Sequence, residues 1–234
     1  MSGSAGEDGL IRLHHVPWGR SFRVLWLLAE MGITPEIVRY EIGSKAMREP
    51  GLMGVSPAGR IPALEIDGRT IFESAAIVQY LCESRPDHGF GRPPGHADRV
   101  AFLEALGFAE TMASLIEQLN LNHLFLRPPA RPSPIVVKLN TLRLADTLRA
   151  LDGMIAGDYL LPSGFSAADA MLGFNLFAAP YYVDTDRWPG LQAYWARLQA
   201  RPGFQTAAAI EGPQAFYARD FYEVPAPEAG GTDA

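Results

Sequence analysis

The stretch from Ser56 to Ile77 constrains the fold more than any other part of the chain. Two short apolar-rich segments, Ala63–Leu64–Glu65–Ile66 and Arg69–Thr70–Ile71–Phe72, are joined by Asp67–Gly68. Asp-Gly between two such runs is the strongest local signal for a two-residue hairpin, because both turn positions need a positive φ. Pro62 has no N–H to give to a ladder and so stands at a strand start or edge. That setting suits a cis peptide, which turns the preceding backbone outward. Ile61 then offers its N–H and C=O to an extended ligand, as a sheet edge does when it accepts an added strand. Glu73 and Ser74 open a helix, where backbone N–H groups favour a carboxylate and the Glu can hold an ammonium. A ligand with a peptide middle and an amino-acid head fits this surface.

Upstream, Leu10 to His14 reads as a strand and Ser21 to Met31 as a helix that buries Val24, Leu25, Leu27 and Leu28 and stops at Gly32. Glu36 to Ile42 reads as a second strand with Ile37, Tyr40 and Ile42 inward. With the hairpin this makes β-α-β, a Gly- and Pro-bearing loop, then β-β-α, which is an α/β layer on one small sheet. Pro86 to Gly95 holds three prolines and three glycines in ten residues, a linker composition. Beyond it the pattern is helical: Asp98 to Leu126, a break at Arg127 to Pro134, then Leu144, Leu148, Leu151 and Ile155 at steps of four, three and four. Ser166 and Asp169 make an N-cap pair, with Phe165 placed to staple the entry. Two more helices run from about Leu191 to Ala200 and from Pro202 to Ile210. Phe216, Tyr217, Phe221 and Tyr222 make the tail too aromatic for idle coil.

Three of these segments resemble the soluble glutathione S-transferases. Ser56-Pro57-Ala58-Gly59-Arg60-Ile61-Pro62-Ala63-Leu64 followed by Glu73-Ser74-Ala75-Ala76-Ile77 is similar to the family's N-P-x-G-[KR]-[VI]-P-x-L and E-S-x-A-I. Arg20 to Glu30 resembles its first helix, and Phe165 to Leu172 with Tyr194 to Phe204 its helical domain, so the likeness spans roughly residues 10 to 210. Glutathione has the ligand anatomy inferred above. The resemblance implies an α/β thioredoxin-like N-terminal domain over 10–84, a linker over 85–96 and an all-α C-terminal domain over 97–222, between a flexible 1–9 and a disordered tail at 223–234. It also implies a cytoplasmic homodimer that binds glutathione as cosubstrate through Ile61, Pro62, Glu73 and Ser74, with Arg60 or Lys45 meeting a ligand carboxylate. Trp18, Phe108 and Met112 would line the electrophile pocket.

Glutathione transfer needs a thiolate near neutral pH, hence a donor or positive field at the sulfur. Where comparable bacterial and fungal sequences of the family carry a serine just after the first strand, this chain has Gly19, followed by Arg20 and Ser21. Ser21, Arg20 and the backbone N–H groups opening the first helix are the remaining donors; alternatively Ser21 only caps that helix and Arg20 is solvated. The missing hydroxyl keeps two other functions open, a non-catalytic glutathione-fold binding or scaffold protein and a glutathione-dependent reductase or ether-cleaving enzyme.

Composition excludes much else. A formal charge of −6 without a basic run argues against nucleic acid. The lone Cys82 rules out a disulfide framework and sits mid-helix, away from any expected sulfur. His14 and His15 point to opposite sides of a strand, and His88, His96 and His123 have no partner at ligand spacing, so no metal is expected. The opening residues are acidic and apolar-poor, unlike a signal peptide, and no apolar run is long enough to span a membrane.

Overall fold

A computed structural model describes residues 10–226 of the chain. The expected flexible N-terminus, residues 1–9, and most of the expected disordered tail, residues 227–234, lie outside the described residues.

Four strands, β1 (Arg12–His15), β2 (Glu36–Arg39), β3 (Ala63–Ile66) and β4 (Arg69–Phe72), form a sheet in the order β2-β1-β3-β4. β1 and β2 are parallel, which requires a crossover, and α1 (Phe22–Glu30) supplies it. β3 runs antiparallel to both β1 and β4. Leu13 sits opposite Ile37 on one side and Leu64 on the other, and both leucines are fully buried. β2 ends at Arg39, three residues short of the expected strand, and Ile42 is exposed rather than inward.

A single helical turn, α2 (Pro50–Met53), and α3 (Ser74–Ser84) complete the first unit. The second unit is helical: α4 (Arg99–Asn120), α5 (Pro134–Met154), α6 (Ala167–Ala178), α7 (Pro189–Gln199) and α8 (Pro202–Glu211). α4 stops before the expected Leu126 and passes into a wider turn over Leu121–Phe125. α5 starts at Pro134, a favoured first helical position, ten residues ahead of the apolar run that marks it in sequence.

α1 is where the two units meet. Every residue from Phe22 to Leu28 is buried, not only the expected stripe, because α6 and α8 cover the face that the sheet leaves free. Two glycines allow that approach. A Cβ on Gly173 of α6 would stand 2.4 Å from Trp26, and one on Gly203 of α8 would stand 2.5 Å from Glu30. The cap read in sequence closes as a reciprocal box: Ser166 Oγ accepts from Ala168 N–H at 3.3 Å, and Asp169 accepts from Ser166 N–H at 2.7 Å. Asp169 also receives Leu160 N–H at 3.0 Å and the Tyr194 hydroxyl at 2.7 Å, so one buried carboxylate joins α6, α7 and the segment before them.

Candidate functional site

The hairpin has the geometry its residues demand. Asp67 and Gly68 take φ of 52° and 70°, and the Ile61–Pro62 peptide is cis. Pro62 is buried and Ile61 half-buried beside it. Ser56 Oγ accepts the N–H of Arg60 at 3.1 Å, which fixes the loop leading into this edge. Glu73 is exposed at the N-cap of α3 with φ 72° and ψ 123°. A non-glycine residue there costs on the order of 1–3 kcal/mol and persists only where its surroundings hold it, as at ligand sites. Ser74, the first residue of α3, is buried behind it. An exposed carboxylate and a helix N-terminus thus stand at the end of the Pro62 hairpin.

The β1–α1 loop differs from expectation. The Ser21 hydroxyl is fully buried, accepting Val16 N–H at 3.1 Å and donating to Val16 O at 3.2 Å. Both of its bonding roles are occupied by the loop it closes, so in this arrangement it is a tie for the backbone rather than a free donor. Gly19 donates to Val16 O at 3.0 Å, and a Cβ there would sit 3.0 Å from that oxygen. The absent family hydroxyl therefore coincides with a loop drawn too tight to take a side chain without moving.

Arg20 is ion-paired and only partly exposed. Its guanidinium reaches Glu117 at 2.6 Å and Glu110 at 3.4 Å, both on α4. Arg60 pairs with the other oxygen of Glu117, so one carboxylate lies between the expected thiol donor Arg20 and the expected ligand cation Arg60. Glu110 continues the row to Arg23 at 2.7 Å. Arg23 is wholly buried, bonded also to Asn175 at 2.8 Å and Ala109 O at 3.2 Å, and burial lowers its pKa to about 10. Lys45 is exposed on a short turn over Lys45–Arg48.

The expected electrophile pocket is only partly assembled from the named residues. Met112 is fully buried in the core, so it lines no open surface, and Phe108 is half-buried. Helical spacing cannot tell which face of α4 the other helices cover. Trp18 is half-buried and stacks on Phe177 at 4.6 Å and on Phe22 at 5.4 Å. From Phe177 an aromatic row runs through Tyr217, which stacks on Tyr181 at 3.8 Å, to Phe216 and Phe125. The tail is thus docked, with Tyr222 N–H on Tyr181 O at 2.8 Å, although Phe221 is exposed. A recess of about 550 Å³ lies between the tail, the turn after α4 and Ile42. The residues that sequence reasoning passed over are Glu117 and Glu211; carboxylates on helices with no local motif gave no signal.

Cys82 is buried, and desolvation pushes its thiol up to about 12. Among the described residues no cluster of His, Cys, Asp or Glu has a metal-holding arrangement, and no helix is long and apolar enough to cross a membrane.

Residues 10–83 match the family model described as the glutathione S-transferase N-terminal domain. Glutathione S-transferase 3 of Zea mays is 29% identical over 202 residues, covering 82% of this chain and 90% of that protein. The crystal structure of a glutathione transferase from Methylococcus capsulatus superposes with a TM-score of 0.74 at 28% identity, over 86% of this chain and 98% of the other. A glutathione transferase from Phanerochaete chrysosporium, solved with oxidised glutathione, superposes at 0.79 over 89% and 97% of the two chains; at 20% identity this is a likeness of fold.

Proposed function

The chain belongs to the glutathione S-transferase family, and from that premise we propose that it activates the thiol of glutathione for attack on a hydrophobic electrophile. The tripeptide lies extended along the Pro62 edge, its cysteinyl backbone bonded to Ile61. Glu73 holds the γ-glutamyl ammonium, and the N-terminus of α3 with Ser74 holds the adjoining carboxylate. Arg60 or Lys45 meets the glycyl carboxylate. The sulfur then lies toward the β1–α1 loop, where Arg20 and the N–H groups opening α1 stabilise the thiolate while Ser21 keeps the loop closed. Trp18, Phe108 and the docked aromatic tail offer the electrophile an apolar surface.

The unit boundaries proposed are 10–84, a linker over 85–96 and 97–222, with the site between the units. We also propose a cytoplasmic homodimer. Phe72 on β4, Val100 and Leu103 on α4, and Ile135, Leu139 and Leu142 on α5 are exposed apolar residues, which supports pairing of the first unit of one protomer with the second unit of its partner.

The strained φ of Glu73 is the observation that carries this reading. If that carboxylate holds the ligand ammonium, removing it forfeits a charge-assisted hydrogen bond of roughly 1.5–3 kcal/mol. Glu73→Ala should bind glutathione about tenfold or more weakly. Calorimetry giving wild-type affinity for a folded Glu73→Ala protein would remove Glu73 from the site.

A further inference from the structure

The β1–α1 loop is held from outside by the end of α8, through contacts that the proposed chemistry does not use. Trp18 adopts φ 53°, an unusual state for a bulky residue. Its backbone N–H donates to Glu211 Oε2 at 2.6 Å, and its indole N–H donates to Gly212 O at 3.0 Å. Arg39, at the end of β2, donates to Ile210 O at 2.8 Å. Three successive residues of the second unit therefore grip the first unit, at Trp18 within the loop and at Arg39 where β2 ends.

Glu211 is the unusual member. Its side chain is wholly buried, and so is His15, whose Nε2 lies 3.0 Å from Oε1. That contact has ion-pair distance but not hydrogen-bond alignment: among the described residues Oε1 and both ring nitrogens of His15 have no hydrogen-bond partner. A buried pair of this kind is a poor device for stability, since replacing both partners by apolar side chains is often neutral or better, whereas removing one partner alone is costly. What it does provide is a short, charge-assisted acceptor for one N–H in the loop that carries Gly19, Arg20 and Ser21.

We propose that Glu211 is a positioning residue for thiol activation: by fixing the Trp18 amide it sets the loop from which Arg20 and the helix N-terminus address the sulfur. The proposal rests on the glutathione-transfer reading above for its effect on rate, but not for its effect on the loop. Because Glu73 and Ser74 hold the other end of glutathione, Glu211 should matter to kcat far more than to glutathione KM.

Glu211→Met keeps length and volume without the acceptor, whereas Glu211→Gln keeps an oxygen for the same N–H. Both are compared with the wild type in kcat and glutathione KM with 1-chloro-2,4-dinitrobenzene, in amide exchange over residues 16–22, and in thermal midpoint. The Met variant should lose about tenfold or more in kcat, the scale of one charge-assisted hydrogen bond, with KM within about twofold. Its 16–22 amides should exchange faster by a similar factor; the midpoint falls in both variants, because each removes the carboxylate beside His15, and Gln should restore most of the kcat and of the exchange. Wild-type exchange over 16–22 in the Met variant overturns the proposal, as does a lowered midpoint with unchanged kcat. Should the wild type show no turnover, the transfer reading fails on its own, and the exchange comparison still decides whether Glu211 sets the loop.

Discussion

At the scale of single residues, backbone requirements were easier to read than side-chain duties. Pro62, Asp67–Gly68 and the helix-opening Glu73–Ser74 carry their own geometry, because ring closure, positive φ and helix-end polarity are local properties. Ser21 and Arg20 stand at the opening of α1, but what their polar atoms touch is set by the closure of their own loop for Ser21 and by a helix far off in sequence for Arg20. Val16 engages the Ser21 hydroxyl, and Glu110 and Glu117, about ninety residues on, engage Arg20. The resemblance implies a pocket position for Met112, and the packing of α4 puts it in the core. Glu211 lies 193 residues from the amide it binds, beyond any local pattern.

At the scale of elements, amphipathic and capping signals located most helices, while their ends followed tertiary packing. The β3–β4 hairpin shows how a local turn is tied to the rest. Arg85, at the end of α3, reaches both carboxylate oxygens of Asp67 at 3.1 and 3.2 Å, and the Tyr80 hydroxyl donates to it at 3.0 Å. The hydrogen bonds from Arg85, and then Tyr80, hold the Asp67 pKa below its ordinary value. A depressed folded-state pKa means stability that is complete above the unfolded value, near 3.9, and lost as pH falls through the folded value. Asp67→Asn preserves a residue tolerant of positive φ but removes this charge. The pair is partly exposed, so the variant should lose only about 0.2–1 kcal/mol at pH 7. In urea titrations the two proteins should converge as pH drops below 3.9; a gap that persists undiminished at pH 2 would assign the loss to something other than the charge.

At the scale of the whole molecule, the order of α/β unit, Pro/Gly linker and helical unit was legible because composition changes abruptly at Pro86. The way α1 is enclosed by α6 and α8 was not, since it depends on two glycines whose purpose appears only against Trp26 and Glu30. The exposed apolar residues on β4, α4 and α5 are the surface on which the proposed two-fold pairing rests. Sedimentation at micromolar concentration should therefore give about twice the 25.5 kDa chain mass, and a clean monomer would contradict the pairing. The central claim is the proposal that this assembly turns a bound thiol into a thiolate without the serine that comparable bacterial and fungal sequences carry after the first strand. Ultraviolet titration of the glutathione complex tests it most directly. A free thiol near pKa 8.5 should fall by about one to two units on the wild type and return toward the free value in Arg20→Ala. A wild-type complex whose thiol titrates like free glutathione would contradict the account and leave a protein that binds glutathione without activating it.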